Sequence, residues 1–320
     1  MTKPNQVLLA APRGFCAGVD RAIDAVNQVL QVVPPPVYVF HEIVHNAHVV
    51  RDLGSRGALF VHDVSEVPDG SVLIFSAHGI APQVRKAARE RSLRVVDATC
   101  PLVTKVHIEA IRYAKEGRTI LLVGHAGHDE VVGTVGEAPD RIVLVQSQEE
   151  AETIQVPDPD KVAVITQTTL AVDDTKDILD TIRRRFPSAS LPARDDICYA
   201  TQNRQMAVKD LAGRADLVLV VGSDNSSNSI RLVEVSRALG TPSYLVDDVS
   251  HLKQEWLDGV KVVGITAGAS APEKLVQELV DHFRAMGARR VENGAVVEES
   301  VHFELPSELQ YALTARNEAS

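Results

Sequence analysis

The chain repeats one order of secondary-structure elements three times, and this repetition leaves few folds open to it. Each pass begins at a cysteine and a helical pattern. It continues through a buried strand with a polar end, a short second strand, a third strand with another polar end and a closing helix. The buried strands are expected at residues 37–40, 119–124 and 217–222. Because short apolar strands alternate with amphipathic helices, the sequence predicts parallel α/β layers.

The other strands recur at matching places in the three passes. Second strands are expected at residues 58–61, 142–145 and 243–246, and third strands at residues 72–79, 162–169 and 262–270. In parallel sheets, ligands gather at the carboxyl ends of the strands. We therefore predict three similar α/β domains in a pseudo-threefold arrangement, with the cysteines and polar strand ends facing one central cavity. The predicted domains are residues 1–98, 99–196 and 197–320, with a C-terminal tail that is loose over residues 315–320.

Three cysteines, the only ones in the chain, mark the starts of the passes: Cys16, Cys100 and Cys198. Each falls where an extended segment gives way to a helical pattern, and a helix N-terminus favours the thiolate form that binds metals and iron–sulfur clusters. In a reducing compartment, an odd number of widely spaced cysteines does not indicate a disulfide framework. Three thiolates can hold a 4Fe–4S cluster with one iron left open. Zinc bound by three cysteines and a histidine is a competing interpretation, and three unrelated core thiols are another.

Charge and hydrophobicity limit the function further. A net charge of −10, from 33 basic and 43 acidic residues, argues against a general nucleic-acid binder. No stretch approaches the ~18 consecutive apolar residues of a membrane span, and the N-terminal apolar run is too short for a secretory signal. We therefore expect a cytoplasmic protein that acts on small molecules or exchanges electrons with a partner.

A set of polar residues at the strand ends and helix starts offers hydrogen-bond donors for an anion. The set comprises His45, His78, His128, Ser226, Ser227, Asn228 and Ser270. Any one of these histidines taken alone is more readily explained by a structural hydrogen bond, but their recurrence at matching positions favours a binding site. The phosphate-binding motifs of nucleotide sites are absent, so a phosphate or diphosphate of a small molecule is favoured over a nucleotide.

Glu130, two residues after His128, is the best candidate for an acid. A carboxyl group enclosed in the site can stay protonated and act as a proton donor, whereas a solvated loop glutamate is the ordinary alternative. Thr168 and Thr169 are candidates for holding a substrate hydroxyl or relaying the proton, although threonine is also common at strand ends.

Seven stretches of the chain resemble the 4-hydroxy-3-methylbut-2-enyl diphosphate reductase family, the LytB-type reductases of the non-mevalonate isoprenoid pathway. They are residues 13–22, 41–46, 76–79, 97–101, 166–170, 226–229 and 268–272. The matches run in order from about residue 9 to about residue 306, nearly the whole chain.

The resemblance implies a trefoil of three α/β domains around a central 4Fe–4S cluster. The family's cluster ligands fall on Cys16, Cys100 and Cys198, and its proton-donor glutamate on Glu130. Its substrate-contacting threonine falls on Thr168, and its diphosphate-binding residues fall on the seven-residue polar set. One position departs from the pattern, because the family has a proline where this chain has Asp129.

The implied reaction is reductive removal of the substrate hydroxyl, giving isopentenyl diphosphate and dimethylallyl diphosphate. No flavin or nicotinamide motif is present, so we expect the electrons to come from a small redox protein such as ferredoxin or flavodoxin. A monomer or a homodimer is expected. Two other functions stay open: a metal-stapled binding protein for a phosphorylated metabolite, and a hydratase-like lyase that uses an open iron as a Lewis acid.

Overall fold

The computed structural model describes residues 4–192, 196–294 and 297–309. Over these residues its strands are β1 (Gln6–Leu9), β2 (Val37–Phe40), β3 (Ala58–Val61), β4 (Val72–Phe75), β5 (Arg94–Asp97), β6 (Thr119–Val123), β7 (Ile142–Val145), β8 (Val162–Thr166), β9 (Leu217–Val221), β10 (Ser243–Val246), β11 (Val262–Ala267) and β12 (Arg290–Asn293). Its α-helices are α1 (Ala17–Val32), α2 (Ala47–Ser55), α3 (Pro82–Glu90), α4 (Pro101–Lys115), α5 (Asp129–Glu137), α6 (Gln148–Thr153), α7 (Val172–Arg185), α8 (Tyr199–Ala212), α9 (Ser227–Ala238) and α10 (Glu273–Met286).

One compact unit comprises Met1–Ala17, His45–Val49 and Tyr199–His302. It contains sheet A, whose five strands lie in the order β10-β9-β11-β1-β12. Each pairing between neighbouring strands in this sheet is parallel. Strand β9 is buried at every position, because apolar side chains pack against both of its faces.

The other compact unit comprises Gly18–Val44, Val50–Cys198 and Phe303–Ser320. It contains a four-stranded sheet B in the order β3-β2-β4-β5 and a three-stranded sheet C in the order β7-β6-β8. The pairings in both sheets are parallel. Strands β2, β4, β6 and β8 are buried along their whole lengths. Their sequences are nearly continuous apolar runs rather than alternating ones, as is typical of strands covered on both faces.

The predicted α/β class is confirmed, with three parallel sheets in the described part of the chain. The predicted first, second and third strands of each pass form, and α1, α4 and α8 each begin directly after a cysteine. Strand β12 was not predicted, because four partly or fully exposed residues carry little periodic signal. Strands β1 and β5 were expected only as extended segments before a cysteine, without limits. No helix among the described residues is both long enough and apolar enough to cross a membrane.

The first strand lies elsewhere than the predicted domain limits imply. Residues 1–98 were assigned to one domain, but β1 pairs with β11 and β12 in sheet A. Strand β5, which also precedes a cysteine, lies within the predicted limits 1–98 and pairs with β4 of the same pass. The segment before Cys16 thus adds a strand to sheet A, and the segment before Cys100 adds a strand to sheet B. The tail predicted over residues 315–320 lies outside the described residues.

Candidate active site

The three cysteines share one backbone environment. Each cysteine N–H donates a hydrogen bond to a carbonyl at the polar end of a third strand. The bonds run from Cys16 to Ala269 (3.3 Å), from Cys100 to Ala77 (3.0 Å) and from Cys198 to Thr168 (3.0 Å). Ala269 and Ala77 directly precede the predicted site residues Ser270 and His78, and Thr168 is itself a predicted site residue. Each cysteine is therefore bonded to a site residue of another pass, or to the residue before one. This placement of cysteine against strand end was not predicted.

The cysteines suit a metal or cluster with thiolate ligands. All three are half-buried, and each stands at the start of a helix, where unpaired N–H groups stabilise negative charge. Cys100 is the N-cap of α4 and is followed by proline at the first helical position. Soft thiolate ligands favour iron–sulfur clusters and zinc over hard cations such as magnesium. The residues present therefore fit the implied cluster, and their role as its ligands stays a prediction.

Glu130 and Thr168 form an enclosed polar pair among the predicted site residues. Glu130 lies in the first turn of α5 and is 3% exposed, and Thr168 follows β8 and is 5% exposed. The backbone N–H of Thr168 donates to Glu130 Oε1 at 2.7 Å, and its hydroxyl donates to Oε2 at 2.9 Å. The structure thus brings together the predicted acid and the predicted substrate-contacting threonine. The loop after β8 holds both carboxyl oxygens.

The environment of Glu130 makes its carboxyl group a weak acid. Burial raises the pKa of Glu130 from its ordinary value of 4.5 to about 7, because water no longer solvates the carboxylate. The two hydrogen bonds from Thr168 act in the opposite direction, since they stabilise the charged form. Burial prevails, so a substantial fraction of the carboxyl groups carries a proton at neutral pH. A group with this pKa can deliver a proton and recover it from solvent.

His128 and His78 lie next to this pair. His128 is the N-cap of α5, and its Nδ1 accepts a hydrogen bond from the backbone N–H of Glu130 at 3.2 Å. A neutral ring that accepts at Nδ1 carries its proton on Nε2, so Nε2 has a proton to donate. The ring of His78 meets that of His128 edge to face, with centroids 6.0 Å apart. The two predicted histidines therefore belong to one cluster.

Asp129 occupies the position where the family pattern has proline, and it joins this cluster. Its Oδ1 accepts a hydrogen bond from Nδ1 of His41 at 2.8 Å, and its Oδ2 lies 3.8 Å from Nδ1 of His78. The hydrogen bond with Asp129 raises the pKa of His41. Asp129 therefore links the end of β2 to the start of α5. His41 was not predicted as a site residue, although it opens a motif that the resemblance includes.

The other compact unit carries the remaining predicted anion-binding residues. Ser226 is the N-cap of α9, and its Oγ accepts from the N–H and the hydroxyl of Ser229 at 3.4 and 2.9 Å. The hydroxyl of Ser270 donates to the carbonyl of His45 at 2.8 Å and lies 3.5 Å from Ser226 Oγ. The loop that carries His45, the loop after β11 and the N-terminus of α9 are thus joined by hydroxyl groups.

The side-chain amide of Asn228 is buried beside these hydroxyl groups. Asn228 is only 5% exposed, yet among the described residues neither its Oδ1 nor its Nδ2 finds a hydrogen-bond partner. A buried amide without partners is costly, so such a group usually faces a ligand or an ordered water. A Cβ on Gly268 would lie 3.3 Å from Asn228 Nδ2 and 2.0 Å from Ser229 Oγ. Only glycine lets the β11 loop approach the start of α9 this closely.

Two other predicted residues are placed as follows. Ser227 is the first residue of α9, next to the buried amide of Asn228. The hydroxyl of Thr169 accepts from the side-chain amide of Gln167 at 2.9 Å. Gln167, which is 1% exposed, also accepts from the backbone N–H of His125 at 3.1 Å. Gln167 was missed as a site-building residue, and its place inside the quoted 166–170 motif was the available signal.

Comparisons with known proteins find similar sequences that match nearly the whole chain. The family model described as LytB protein matches residues 7–284. A protein of Acidothermus cellulolyticus named 4-hydroxy-3-methylbut-2-enyl diphosphate reductase is 56% identical over 98% of this chain and 93% of its own length. A protein of Azotobacter vinelandii with the same name is 54% identical over 95% of this chain and 98% of its own length.

Two solved structures of similarly named reductases also match this chain. The structure of the E-1-hydroxy-2-methyl-but-2-enyl-4-diphosphate reductase from Plasmodium falciparum superimposes with a TM-score of 0.94 at 38% identity, covering 99% of this chain and 100% of that one. A structure described as that of (E)-4-hydroxy-3-methyl-but-2-enyl diphosphate reductase, the terminal enzyme of the non-mevalonate pathway, has a TM-score of 0.62 at 31% identity and covers 88% of this chain and 99% of that one. The chain belongs to the LytB protein family.

Proposed function

We propose that this protein reduces (E)-4-hydroxy-3-methylbut-2-enyl diphosphate to isopentenyl diphosphate and dimethylallyl diphosphate, the last step of the non-mevalonate isoprenoid pathway. The reaction takes up two electrons and two protons, breaks the allylic C–O bond and releases the hydroxyl as water. Membership of the LytB family supports the reaction class. The observation that carries the proposal in this chain is the buried Glu130 carboxyl, which Thr168 holds through two hydrogen bonds.

The diphosphate is bound by hydroxyl, amide and imidazole donors. Ser226, Ser227, Asn228, Ser270 and His45 are proposed as donors, together with the imidazoles of His78 and His128. The amide of Asn228, which has no hydrogen-bond partner among the described residues, and the N-terminus of α9 support anion binding, because both offer N–H donors and the helix dipole favours negative charge. A polyanion held at several points positions the rest of the substrate for reaction.

Glu130 supplies protons to the reacting end of the substrate. Its raised pKa keeps the carboxyl protonated in a large share of molecules near neutral pH. The Thr168 hydroxyl, 2.9 Å from Oε2, contacts the substrate hydroxyl and can pass the proton from the carboxyl to it. Protonation turns a poor leaving group into water, and this is the role that general acids play in C–O cleavage.

A 4Fe–4S cluster held by Cys16, Cys100 and Cys198 would, when bound, pass the two electrons one at a time from an external donor and offer one iron that has no protein ligand. The thiols contribute by standing at helix N-termini, where the thiolate is favoured. Ferredoxin or flavodoxin is proposed as the electron donor. A monomeric or homodimeric state and a cytoplasmic location stay predictions.

The first experiment is anaerobic purification followed by iron, sulfide and zinc analysis, with spectra recorded before and after addition of the hydroxylated allylic diphosphate. About four irons and four sulfides per chain, as in a cubane cluster, and a spectrum that changes with substrate are the expected results. Zinc without sulfide would refute the reductase and favour a metal-stapled binding protein. Product formation without any reductant would instead identify a lyase.

A further inference from the structure

Arg204 is a fully buried arginine outside the site residues named above. It lies on α8, is 0% exposed, and is the largest such side chain among the described residues. Its guanidinium reaches the loop that carries Cys16. Nε and Nη2 donate to the carbonyl of Gly14 at 3.0 and 2.7 Å, and Nη2 also donates to the carbonyl of Phe15 at 3.1 Å.

The remaining donors of Arg204 keep the guanidinium in position. Nη1 donates to the carbonyl of Ala200, one turn earlier on α8, at 2.9 Å, and to Oε1 of Glu299 at 3.0 Å. Glu299 is thus the carboxylate that compensates the buried positive charge. Because a guanidinium is planar and its donors are fixed in a fork, these contacts determine its orientation.

The backbone of the Cys16 loop is held from two sides. On one side the N–H groups of Gly14 and Cys16 donate to the carbonyls of Ala267 and Ala269, at the end of β11, at 3.2 and 3.3 Å. On the other side the carbonyls of Gly14 and Phe15 accept only from Arg204 among the hydrogen bonds described for this loop. Without the guanidinium both carbonyls would lose these bonds, and for the buried carbonyl of Gly14 the loss of a partner is strongly disfavoured.

We propose that Arg204 is a positioning residue for Cys16: it holds the two peptide groups before the cysteine and thereby sets where the Cys16 sulfur lies. The assignment rests on the proposed function in taking Cys16 to be a cluster ligand. Arg204 itself contacts neither substrate nor cluster in this assignment. Lysine cannot replace it, because one ammonium group cannot donate to both carbonyls and to Glu299 from a fixed plane.

The test compares thiol labelling in holoenzyme variants. Anaerobically purified wild type and Arg204→Lys are first analysed for iron and sulfide. They are then treated with an iron chelator in the presence of N-ethylmaleimide, and labelling of Cys16, Cys100 and Cys198 is followed by mass spectrometry. In Arg204→Lys we expect Cys16 to be labelled about tenfold faster relative to the other two cysteines. That factor corresponds to the loss of about one buried hydrogen bond.

Arg237→Lys is the matched control. Arg237 also donates twice to one backbone carbonyl, that of Ser243, at 2.9 and 2.7 Å, but this carbonyl is remote in sequence from the cysteines. Its substitution should leave the labelling ratio as in wild type. If Arg204→Lys does not fold, Glu299→Gln tests the same idea, because it weakens the group that orients the guanidinium. The Cys16 ratio should then rise by a smaller factor.

The outcomes separate the two proposals. Wild type without iron and sulfide would refute the cluster assignment. Wild type with its cluster, but with an unchanged Cys16 ratio in the folded Arg204 or Glu299 variant, would refute the positioning role alone. Equal acceleration at all three cysteines would refute it too, because a general loss of stability exposes every thiol together.

Discussion

Replacing Glu130 by glutamine should remove the titration of one buried carboxyl while keeping its hydrogen bonds. The carbonyl oxygen of the new side chain can accept from the N–H of Thr168, and its NH₂ group can donate to the Thr168 hydroxyl, which then accepts. In wild type these are the 2.7 and 2.9 Å bonds to the carboxylate. The substitution therefore changes charge and acidity with little change in shape.

The magnitude follows from the pKa. The carboxyl of Glu130 ionises near 4.5 in the unfolded chain and near 7 in the folded protein. Below pH 4.5 both states are protonated, and the free energy of unfolding carries no penalty from this group. As the pH rises from 4.5 to about 7, the unfolded chain loses this proton while the folded protein retains it, so stability falls. Above about 7 both states are ionised and the penalty is constant. At about 1.36 kcal/mol per pKa unit, the full loss is about 3 kcal/mol.

The assay is urea unfolding followed by circular dichroism, together with turnover under a low-potential reductant, between about pH 5 and about pH 8. Wild type should lose stability across the lower part of this range relative to Glu130→Gln. Its kcat should fall above a pH of about 7, since the protonated carboxyl is the active form. The variant should lose about a hundredfold or more in kcat, as expected for a missing general acid.

Glu137→Gln is the control, because Glu137 lies on the same helix and its side chain is also buried, but it pairs with His107. It should retain the fall in kcat above a pH of about 7. If Glu130→Gln turned over at the wild-type rate, or showed the same stability profile as wild type, the assignment of Glu130 as a buried proton donor would be incorrect.

Three further changes test the link between Asp129 and His41, the hydroxyl bond of Thr168 to Glu130, and the cap at the start of α2. Asp129→Asn should lower the pKa of His41, because it removes the charged acceptor that raises it; an NMR titration with an unchanged His41 pKa would contradict this. Thr168→Val should raise the pKa of Glu130 further, since the hydroxyl bond favours the carboxylate; the fall in kcat should then move to higher pH, and no movement would count against the pairing. Asn46→Ala should lower stability by about 1 kcal/mol, because the Asn46 side chain accepts two backbone N–H bonds at the start of α2; urea unfolding of a variant as stable as wild type would exclude this cap.

Much of the local structure was predictable because periodicity and composition are local properties. Residues 37–40, 58–61, 142–145 and 243–246 were predicted as strands, and the structure has strands with these limits. The start of a helix after each cysteine followed from apolar spacing alone. The choice of Glu130 and Thr168 came from their place at strand ends, and their functional roles stay predictions.

The partners of these groups could not be predicted, because they come from segments distant in the chain. That Thr168 reaches Glu130 across 38 positions, or that Arg204 reaches Gly14 across 190, depends on which strands pair within a sheet and which helices pack on it. The same is true of His41 and Asp129. A hydrogen bond between distant segments does not change the spacing of apolar residues in either segment, so sequence patterns cannot reveal it.

The sequence by itself determined the parallel α/β class, the order of strands and helices in each pass, the three helix-start cysteines and the family. Only the tertiary structure decided that β1 joins sheet A, that each cysteine is held against the end of a third strand, and that burial raises the pKa of Glu130 to about 7. The physical reason is the distance along the chain over which each effect acts. Side-chain pattern sets local conformation, whereas pairing register and desolvation arise only when distant segments exclude water from one another.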